Sequence, residues 1–335
     1  MIGASAGLLA AVLAAAAPAR AADGIQYWRA EFPSTDFSKA AVPYSEFRSD
    51  GATRDSIPPI TNPTFIPASK VKGLGALEPV LSVRVGADAR AYPLRLLLWH
   101  EIVNDRVGDT PLLVTYCPLC NSGVVFERAI DTENRDLRLV FGNTGRLRHF
   151  DMVMYDHQTG SWWQQFTGEA IVGALTGTKL KALPSRVESF KLFRDTHPSG
   201  RVLVPNRPKA RPYGTTPFVR MDTSPGHGLE VYGLSDEVKP YDRVVVVGDE
   251  AYTVKLLREK GTIERNGLVI SWTPGQNSIH DAKWIPFGRD VGNVVVRRRD
   301  PESGEWADAV HDVTFAFAFK AFVRGGILYS YLPPE

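Results

Sequence analysis

The sequence predicts a β-rich α+β protein with an internal duplication, and three observations support this fold class. Short apolar runs of strand length, such as "PVLSVRV" at 79–85 and "PLLVTYC" at 111–117, are separated by Gly, Asn and Asp turn residues. One segment, residues 92–105, has helical periodicity. Several motifs occur twice, in the same order, in the two halves of the chain.

The individual elements follow from local patterns. Residues 92–105, "YPLRLLLWHEIVND", are predicted to form a helix because the leucines and Ile102 recur at spacings that place them on one helix face. Two further strands are predicted at 123–128, "GVVFER", and at 137–142, "LRLVFG".

Three pairs of similar segments support the duplication hypothesis. They are "AYPLRLL" at 91–97 with "AYTVKLL" at 251–257, "LLVTYCPLCNS" at 112–122 with "LVISWTPGQNS" at 268–278, and "DHQTGSW" at 156–162 with "DPESGEW" at 300–306. Self-similarity of this kind indicates a repeated structural unit. We therefore expect a first repeat at 74–205 that carries the functional site, a linker at 206–228, and a second, degenerate repeat at 229–335.

The N-terminal region is predicted to direct export. Residues 1–22 are interpreted as a signal peptide, since the apolar run Leu8–Ala17 is followed by Ala19-Arg20-Ala21, a small-residue cleavage pattern. This run is shorter than the roughly 20 residues that a transmembrane helix requires, so we expect no membrane span after the signal is removed. Residues 23–73 are predicted to be an extended, loop-rich segment because "SIPPITNPTFIPASK" at 56–70 contains four prolines. The predicted location is extracytoplasmic, in a bacterial periplasm.

Composition excludes some classes of partner. The net charge is only +2 with 23% charged residues, and this balance gives no reason to expect nucleic-acid binding. The partners expected are an unknown small molecule or a redox protein. Two cysteines are too few for a disulfide-built scaffold of this size, so the pair must have a local role.

Cys117 and Cys120 are the only cysteines and lie in "YCPLCNSG" at 116–123. Three interpretations stay open at this point: a metal knuckle with two thiolates, a redox dithiol, or a disulfide that stiffens a turn. A dithiol of the thioredoxin kind is disfavoured because Asn121-Ser122-Gly123 leads into a strand and not into a helix whose N-terminus would stabilise a thiolate.

The second repeat helps to choose among these interpretations. Thr273 and Gln276 occupy the positions of the two cysteines, while Pro274, Asn277 and Ser278 keep the turn residues. The turn therefore does not need sulfur to form. This favours a chemical role for the thiols of the first repeat.

A metal site needs further ligands, and His100 is the first candidate because it lies one predicted strand before the cysteines. His149 or Met154 is expected to complete the ligand set. Thiolates with imidazole suit zinc or copper, and a thioether favours Cu(I). The predicted cofactor is therefore a copper or zinc ion.

Other residues near these motifs are expected to support the site. They are Glu101, Asn104, Asp105, Asn121, Ser122, Arg148 and Trp163. A carboxylate often orients a ligand histidine, and Asp151 and Glu169 are further candidates for that role. Asp156 is assigned instead to an Asp-x-x-Thr-Gly turn, because Asp300 and Gly304 repeat this pattern away from any cysteine.

Four motifs resemble a known family. They are "WHEIVND" at 99–105, "YCPLCNSG" at 116–123, "FGNTGRLRHFDMVMYD" at 141–156 and "SWWQQFTGEAIVG" at 161–173. In this order they resemble the bacterial and archaeal family catalogued as domain of unknown function 3179. The resemblance implies His100, Cys117 and Cys120 as a characteristic trio and an exported location, but no reaction. Here Asn121 replaces the family's usual Gly, and Asn is the next most tolerant residue at positive φ.

The leading hypothesis is an exported copper- or zinc-binding protein, acting as an oxidoreductase or a metal carrier. One alternative is a metal-free thiol-disulfide protein in which His100 tunes the thiolate of Cys117. Another is a non-catalytic binding module whose disulfide braces a pocket lined by Trp99, Trp163 and Arg148. Whether the protein is an enzyme does not follow from the sequence.

Overall fold

The computed structural model describes residues 21–49, 51–132, 135–226, 233–300 and 302–332. The predicted signal peptide lies outside these residues, apart from its last two. The protein is β-rich, with 41% strand and 16% helix, as predicted. Among the described residues, no helix combines the length and the apolar character that crossing a membrane requires.

The helices are short and mostly follow strands. They are α1 (Ala21–Glu31), α2 (Leu94–His100), α3 (Phe190–Thr196), α4 (Val254–Lys260) and α5 (Ala316–Phe322). Side-chain caps begin two of them: Ser189 accepts a hydrogen bond from the N–H of the third helical residue of α3, and Thr253 does the same in α4.

The strands of the first half of the chain end at residue 204. They are β1 (Phe47–Arg48), β2 (Thr64–Pro67), β3 (Pro79–Val85), β4 (Asp88–Pro93), β5 (Ile102–Val107), β6 (Thr110–Cys117), β7 (Ser122–Glu127), β8 (Ala129–Thr132), β9 (Arg135–Arg138), β10 (Phe141–Arg148), β11 (Asp151–Asp156), β12 (Trp162–Gln164), β13 (Glu169–Val172), β14 (Lys181–Leu183), β15 (Ser185–Ser189) and β16 (Arg201–Val204).

The second half adds a smaller set of strands. They are β17 (Arg243–Val247), β18 (Glu250–Thr253), β19 (Thr262–Arg265), β20 (Leu268–Thr273), β21 (Asn293–Arg299), β22 (Trp306–Asp308), β23 (Asp312–Phe315) and β24 (Ile327–Tyr329).

These strands form five larger sheets in a propeller-like arrangement, together with the hairpin β8-β9. The strand orders are β1-β10-β11-β12-β13, β14-β7-β6-β5, β15-β3-β4-β16-β2, β23-β17-β18-β24 and β19-β20-β21-β22. Most neighbours are antiparallel, and β16 with β4 and β24 with β18 are parallel pairs.

The two halves place their elements in the same order. In the first, hairpin β3-β4 is flanked by antiparallel β15 and parallel β16, and α3 connects these two outer strands. In the second, hairpin β17-β18 is flanked in the same way by β23 and β24, and α5 connects them. After each hairpin a short helix, α2 or α4, leads into an antiparallel strand pair.

The third pair of similar segments falls at different points of this plan. Residues 156–162 connect β11 to β12, whereas 300–306 connect β21 to β22. What the segments share is a turn. The carboxylate of Asp156 accepts the N–H of Thr159 at 2.6 Å, and that of Asp300 accepts the N–H of Ser303 at 2.7 Å, so the predicted turn role of Asp156 is confirmed.

Three predicted element boundaries differ from the structure. The predicted helix at 92–105 ends at His100, because Glu101 has φ = 56° and residues 102–107 pair with β6 as strand β5. The predicted strand at 137–142 is divided between β9 and β10. The loop-rich segment predicted at 23–73 contains helix α1 at its start.

The cysteines lie in a core that both halves build. Cys117 and Cys120 are buried with Met152, Met154 and Trp163 of the first half. The second half adds Phe315, Phe317 and Ala318 to the same cluster. The candidate site is therefore at the junction of the two halves.

Candidate functional site

The Cys117–Cys120 segment is a tight turn between two antiparallel strands. Cys117 ends β6 and is paired with Ser122, the first residue of β7. The N–H of Asn121 closes the turn on the carbonyl of Pro118 at 3.3 Å. Asn121 has φ = 54°, the left-handed conformation that Asn tolerates better than most residues. The turn brings both thiols to the same side of the sheet end.

The second half of the chain anchors this turn. The carbonyl of Cys120 accepts hydrogen bonds from the N–H of Phe315 at 2.9 Å and from Oγ1 of Thr314 at 2.7 Å. Nδ2 of Asn121 donates to the carbonyl of Val313 at 2.7 Å. All three partners belong to β23, so that strand fixes where the second sulfur lies.

His280 holds the other end of the turn. Its Nε2 lies 2.7 Å from the carbonyl oxygen of Pro118, and since a carbonyl only accepts, Nε2 carries the proton. Burial lowers the pKa of His280 to about 3, so the ring is neutral. The neighbouring Arg243 donates to the remaining nitrogen, Nδ1, at 3.3 Å.

A strained hairpin brings a carboxylate to the thiols. Strands β10 and β11 are joined by His149 and Phe150, with Arg148 paired to Asp151 across the turn. Both turn residues have positive φ, 50° and 63°. Two-residue turns of this kind normally contain Asn-Gly, and bulky residues there cost roughly 1–3 kcal/mol each. Such strain is concentrated at functional sites in many proteins.

The hairpin contributes two oxygen atoms to the cysteine pair. The carbonyl of Phe150 lies 3.4 Å from Sγ of Cys120 and 3.8 Å from Sγ of Cys117, within reach of weak S–H donation. A carboxylate oxygen of Asp151 and the two sulfur atoms all lie within 4.8 Å of one another. The three side chains are buried, with exposures of at most 1%. They form a compact set of metal-ligand atoms, which we call the Cys-Cys-Asp cluster.

Burial dominates the electrostatics of this cluster. Asp151 accepts hydrogen bonds at Oδ2 from Nε2 of Gln164 at 2.6 Å and from the N–H of Phe166 at 3.0 Å, and the two cysteine thiols also interact with this carboxylate. Burial nevertheless raises the pKa of Asp151 to about 7. Burial also raises the pKa of Cys117, and that of Cys120 more strongly. Without a cation, the cluster favours its protonated forms.

Polar residues around the cluster hold it in place. Gln164, which donates to Asp151, accepts at Oε1 from Arg148 at 3.3 Å, and Arg148 is paired with Glu46 at 2.6 Å. On the other side, Glu101 accepts from Asn143 at 2.5 Å, and its negative charge adds to the raised pKa of Cys117. That Arg148 and Glu101 support a functional centre stays a prediction.

His100 is not part of the Cys-Cys-Asp cluster. Its Nδ1 lies 2.8 Å from the carbonyl oxygen of Pro58, and its Nε2 lies 2.8 Å from the hydroxyl of Tyr213. Both ring nitrogens therefore have partners away from the thiols. Helix α2 ends at His100, and it is the next residue, Glu101, whose negative charge contributes to the raised pKa of Cys117.

Of the two candidates for a fourth ligand, His149 is not among the side chains whose ligand atoms converge in the cluster. His149, at 34% side-chain exposure, has its Nε2 3.3 Å from a carboxylate oxygen of Glu46. Burial lowers its pKa. Met154 is buried in the same apolar cluster as the cysteines, in the strand that begins with Asp151.

The other predicted supporting residues have structural contacts. Asn104 exchanges two hydrogen bonds with the backbone of Phe141, each 2.8 Å long. Asp105 binds Arg90 at 2.7 Å, and Ser122 is buried beside the turn. Nε1 of Trp163 donates to Asp156 at 2.9 Å.

Neither Asp151 as a ligand nor the anchoring role of His280 and β23 followed from the sequence. Asp151 is 31 residues from Cys120, and the His-Phe turn that brings it back has no glycine or asparagine to mark it. A signal did exist, because "RLR" before the turn alternates polar and apolar residues and "MVM" after it is an apolar run, and two strand-like segments so close together favour a hairpin.

The fold and the cluster define a β-rich protein with a buried dithiol–carboxylate centre. Residues 54–325 match the family described as protein of unknown function (DUF3179), and the chain belongs to this family, as the motifs predicted. Neither the curated proteins nor the solved structures that were searched contain a match to the chain.

Proposed function

We propose that Cys117, Cys120 and Asp151 bind a metal ion, with zinc as the preferred metal. The observation that carries this proposal is the buried convergence of two sulfur atoms and one carboxylate oxygen within 4.8 Å. Cysteine thiolate and aspartate carboxylate are both zinc ligands, and three protein ligands would leave a fourth coordination position. An open fourth position would suit an enzyme, whereas a fourth protein ligand would suit a carrier or a structural centre.

Electrostatics supports a cation at this point. Each of the three groups is acidic, and burial raises the pKa of each one. A dication reverses that balance, because it stabilises thiolates and carboxylate together and drives off their protons. Gln164 then has a second function, since its hydrogen bond to Oδ2 of Asp151 fixes the orientation of the carboxylate group.

The ligand types favour zinc over copper. Cu(I) prefers soft sulfur ligands, and a carboxylate oxygen is hard, whereas zinc accepts both. Met152 and Met154 are buried in the same apolar cluster, so Cu(I) is the competing metal to test.

Metal content of the purified full chain tests the proposal. We expect about one zinc ion per chain. The ion should be lost in Cys117→Ser and Cys120→Ser, and bound at least about tenfold more weakly in Asp151→Asn. Glu188→Gln is the matched control, because Glu188 is an equally buried carboxyl group on β15 that is hydrogen-bonded to Ser82. Cobalt(II) substitution gives a second readout, since thiolate ligation produces an intense near-ultraviolet charge-transfer band. Wild-type protein that binds neither zinc nor Cu(I) after reconstitution refutes the proposal.

A metal-free dithiol is the second candidate function. It is favoured by the pKa of about 7 for Asp151, which would let that carboxylate exchange protons with an adjacent thiol near neutral pH. It is disfavoured by the burial and raised pKa of both thiols, since reactive cysteines are partly exposed and have lowered pKa values. A reversible Cys117–Cys120 disulfide in metal-free protein would support it.

We also infer that the two halves arose by duplication and that the protein is exported. The matching order of β3-β4-α2 and β17-β18-α4, with their outer strands, supports the first inference. The cleavage pattern near residue 21 supports the second. N-terminal sequencing of protein recovered from the periplasm tests export, and a mature chain that still begins at Met1 would contradict it.

A further inference from the structure

His100 lies in a pocket of about 490 Å³. This volume is in the range of small-molecule binding sites. The pocket is formed where the proline-rich segment after residue 57 meets the segment that follows β16. Apolar atoms of Pro58, Pro59, Ile60 and Val204 form much of its wall.

Hydrogen bonds fix the tautomer of His100. Nδ1 faces the carbonyl oxygen of Pro58, which can only accept, so Nδ1 carries the proton. Burial lowers the pKa of His100 and favours the neutral ring, whose Nε2 accepts from the hydroxyl of Tyr213. The two rings are stacked with centroids 5.9 Å apart and planes at 27°. Together they form a rigid aromatic wall.

The charge of the pocket has one sign. Arg207 and Arg211 line it, and none of the aspartates and glutamates that the structure describes does. Among the described residues neither guanidinium forms a salt bridge with a carboxylate, although the protein contains many such pairs elsewhere. The positive charge of Arg211 contributes to the lowered pKa of His100. Within the part of the chain that the structure describes, these two cations beside an apolar cavity thus have no carboxylate counter-ion.

From these features we propose that the pocket binds a small organic anion, with a carboxylate or phosphate group at Arg207 and Arg211. Its apolar body packs between the His100–Tyr213 wall and the prolines. Guanidinium groups bind both kinds of oxyanion through charge-assisted hydrogen bonds. This inference does not depend on metal binding, because none of the metal ligands lines the pocket.

Titration of the full chain with matched probes tests the proposal. Benzoate supplies an apolar ring with a carboxylate, benzamide has the same shape without the charge, and phenyl phosphate replaces the head group. Binding is measured by isothermal titration calorimetry, and the site is located by amide chemical-shift changes. The variants are Arg207→Gln and Arg211→Gln. Lys209→Gln is the matched control, since Lys209 lies in the same segment with the same charge but does not line the pocket.

We expect saturable binding of at least one of the two anions and much weaker binding of benzamide. Loss of either arginine should weaken anion binding about tenfold, the effect of one charge-assisted hydrogen bond. Benzamide binding should not change, and Lys209→Gln should behave like the wild type. The tighter of the two anions identifies the head group. The proposal is overturned if neither anion saturates, if benzamide binds as well as benzoate, or if Lys209→Gln weakens binding as much as the arginine variants.

Discussion

Asn121 stabilises the cysteine turn in two ways, through its backbone conformation and through its side chain, and substitutions can separate the two contributions. Its φ of 54° forms the cysteine turn, and its side chain connects that turn to both halves of the chain. Oδ1 accepts from the hydroxyl of Tyr116 at 3.1 Å, and Nδ2 donates to the carbonyl of Val313 at 2.7 Å. Asn121→Gly keeps the backbone conformation and removes both hydrogen bonds. Asn121→Ala removes the bonds and also strains the backbone.

The two contributions have different magnitudes. A buried hydrogen bond contributes about 1 kcal/mol, and leaving its partner unsatisfied costs more, so Asn121→Gly should lower the free energy of unfolding by about 2 to 3 kcal/mol. Left-handed backbone costs a non-glycine residue about 1 kcal/mol or more, so Asn121→Ala should be about 1 kcal/mol less stable still. Stability is measured by urea unfolding followed by tryptophan fluorescence and by circular dichroism.

Asn266 provides the control for this pair. It has φ = 50° in the exposed turn between β19 and β20. Asn266→Ala should be about 1 kcal/mol less stable than Asn266→Gly, because the cost of placing alanine in the left-handed conformation is the same at position 266 as at position 121. Asn266→Gly itself should stay close to the wild type. If Asn121→Gly is as stable as the wild type, or if Asn121→Ala is the more stable of the two variants, the reasoning is refuted.

Four further predictions concern pH, anchoring and metal. Although burial raises the pKa of Asp222, the charge of Arg243 and other contacts lower it to about 2. Because the pKa of Asp222 is lower in the folded than in the unfolded state, about 2 kcal/mol of the free energy of unfolding present above pH 4 should be lost as pH falls toward about 2. Asp222→Asn should remove this decrease from a plot of the free energy of unfolding against pH. Burial raises the pKa of Asp312 to about 6. Stability should therefore increase as pH falls from neutral through that value, and Asp312→Asn should abolish the increase; a variant with an unchanged pH profile contradicts the assignment. His280→Phe removes the hydrogen bond to Pro118, so it should lower the free energy of unfolding by about 1–2 kcal/mol and weaken zinc binding. An unchanged zinc affinity would contradict the anchoring role of His280. A strong chelator should lower the melting temperature of the wild type but not of the cysteine-to-serine variants, and equal shifts in both would contradict a site at the thiols.

Local patterns predicted much of the secondary structure. Strands β3, β6 and β7 match their predicted ranges to within one residue, because apolar β-branched runs bounded by turn residues form strands in most contexts. The predicted helix at 92–105 extended too far, since Ile102 fits a helical stripe and a strand equally well. Residues 102–107 form a strand because they pair with β6, and the spacing of apolar residues in the sequence does not reveal that pairing.

The candidate site was predicted in part. The cysteine pair and its turn followed from the motif, as did the tolerance of Asn121 for positive φ. His100 was predicted as a ligand because it is near the cysteines in sequence, but its two ring nitrogens bind Pro58 and Tyr213, which sequence distance does not reveal. Asp151 depends on a hairpin whose turn residues are unusual, and therefore on tertiary contacts that local propensity does not encode.

Because β23 and His280 anchor the cysteine turn, the geometry of the site depends on residues more than 150 positions away from the cysteines. A fragment ending at the linker would contain every proposed ligand and still lack the groups that set their spacing. Natural or engineered variants that shorten the C-terminal region should therefore lose the centre even when all its ligands are intact. For the same reason, the two halves can be expressed separately and then mixed. If mixing restores metal binding, the second half is needed to hold the cysteine turn of the first half in its binding geometry.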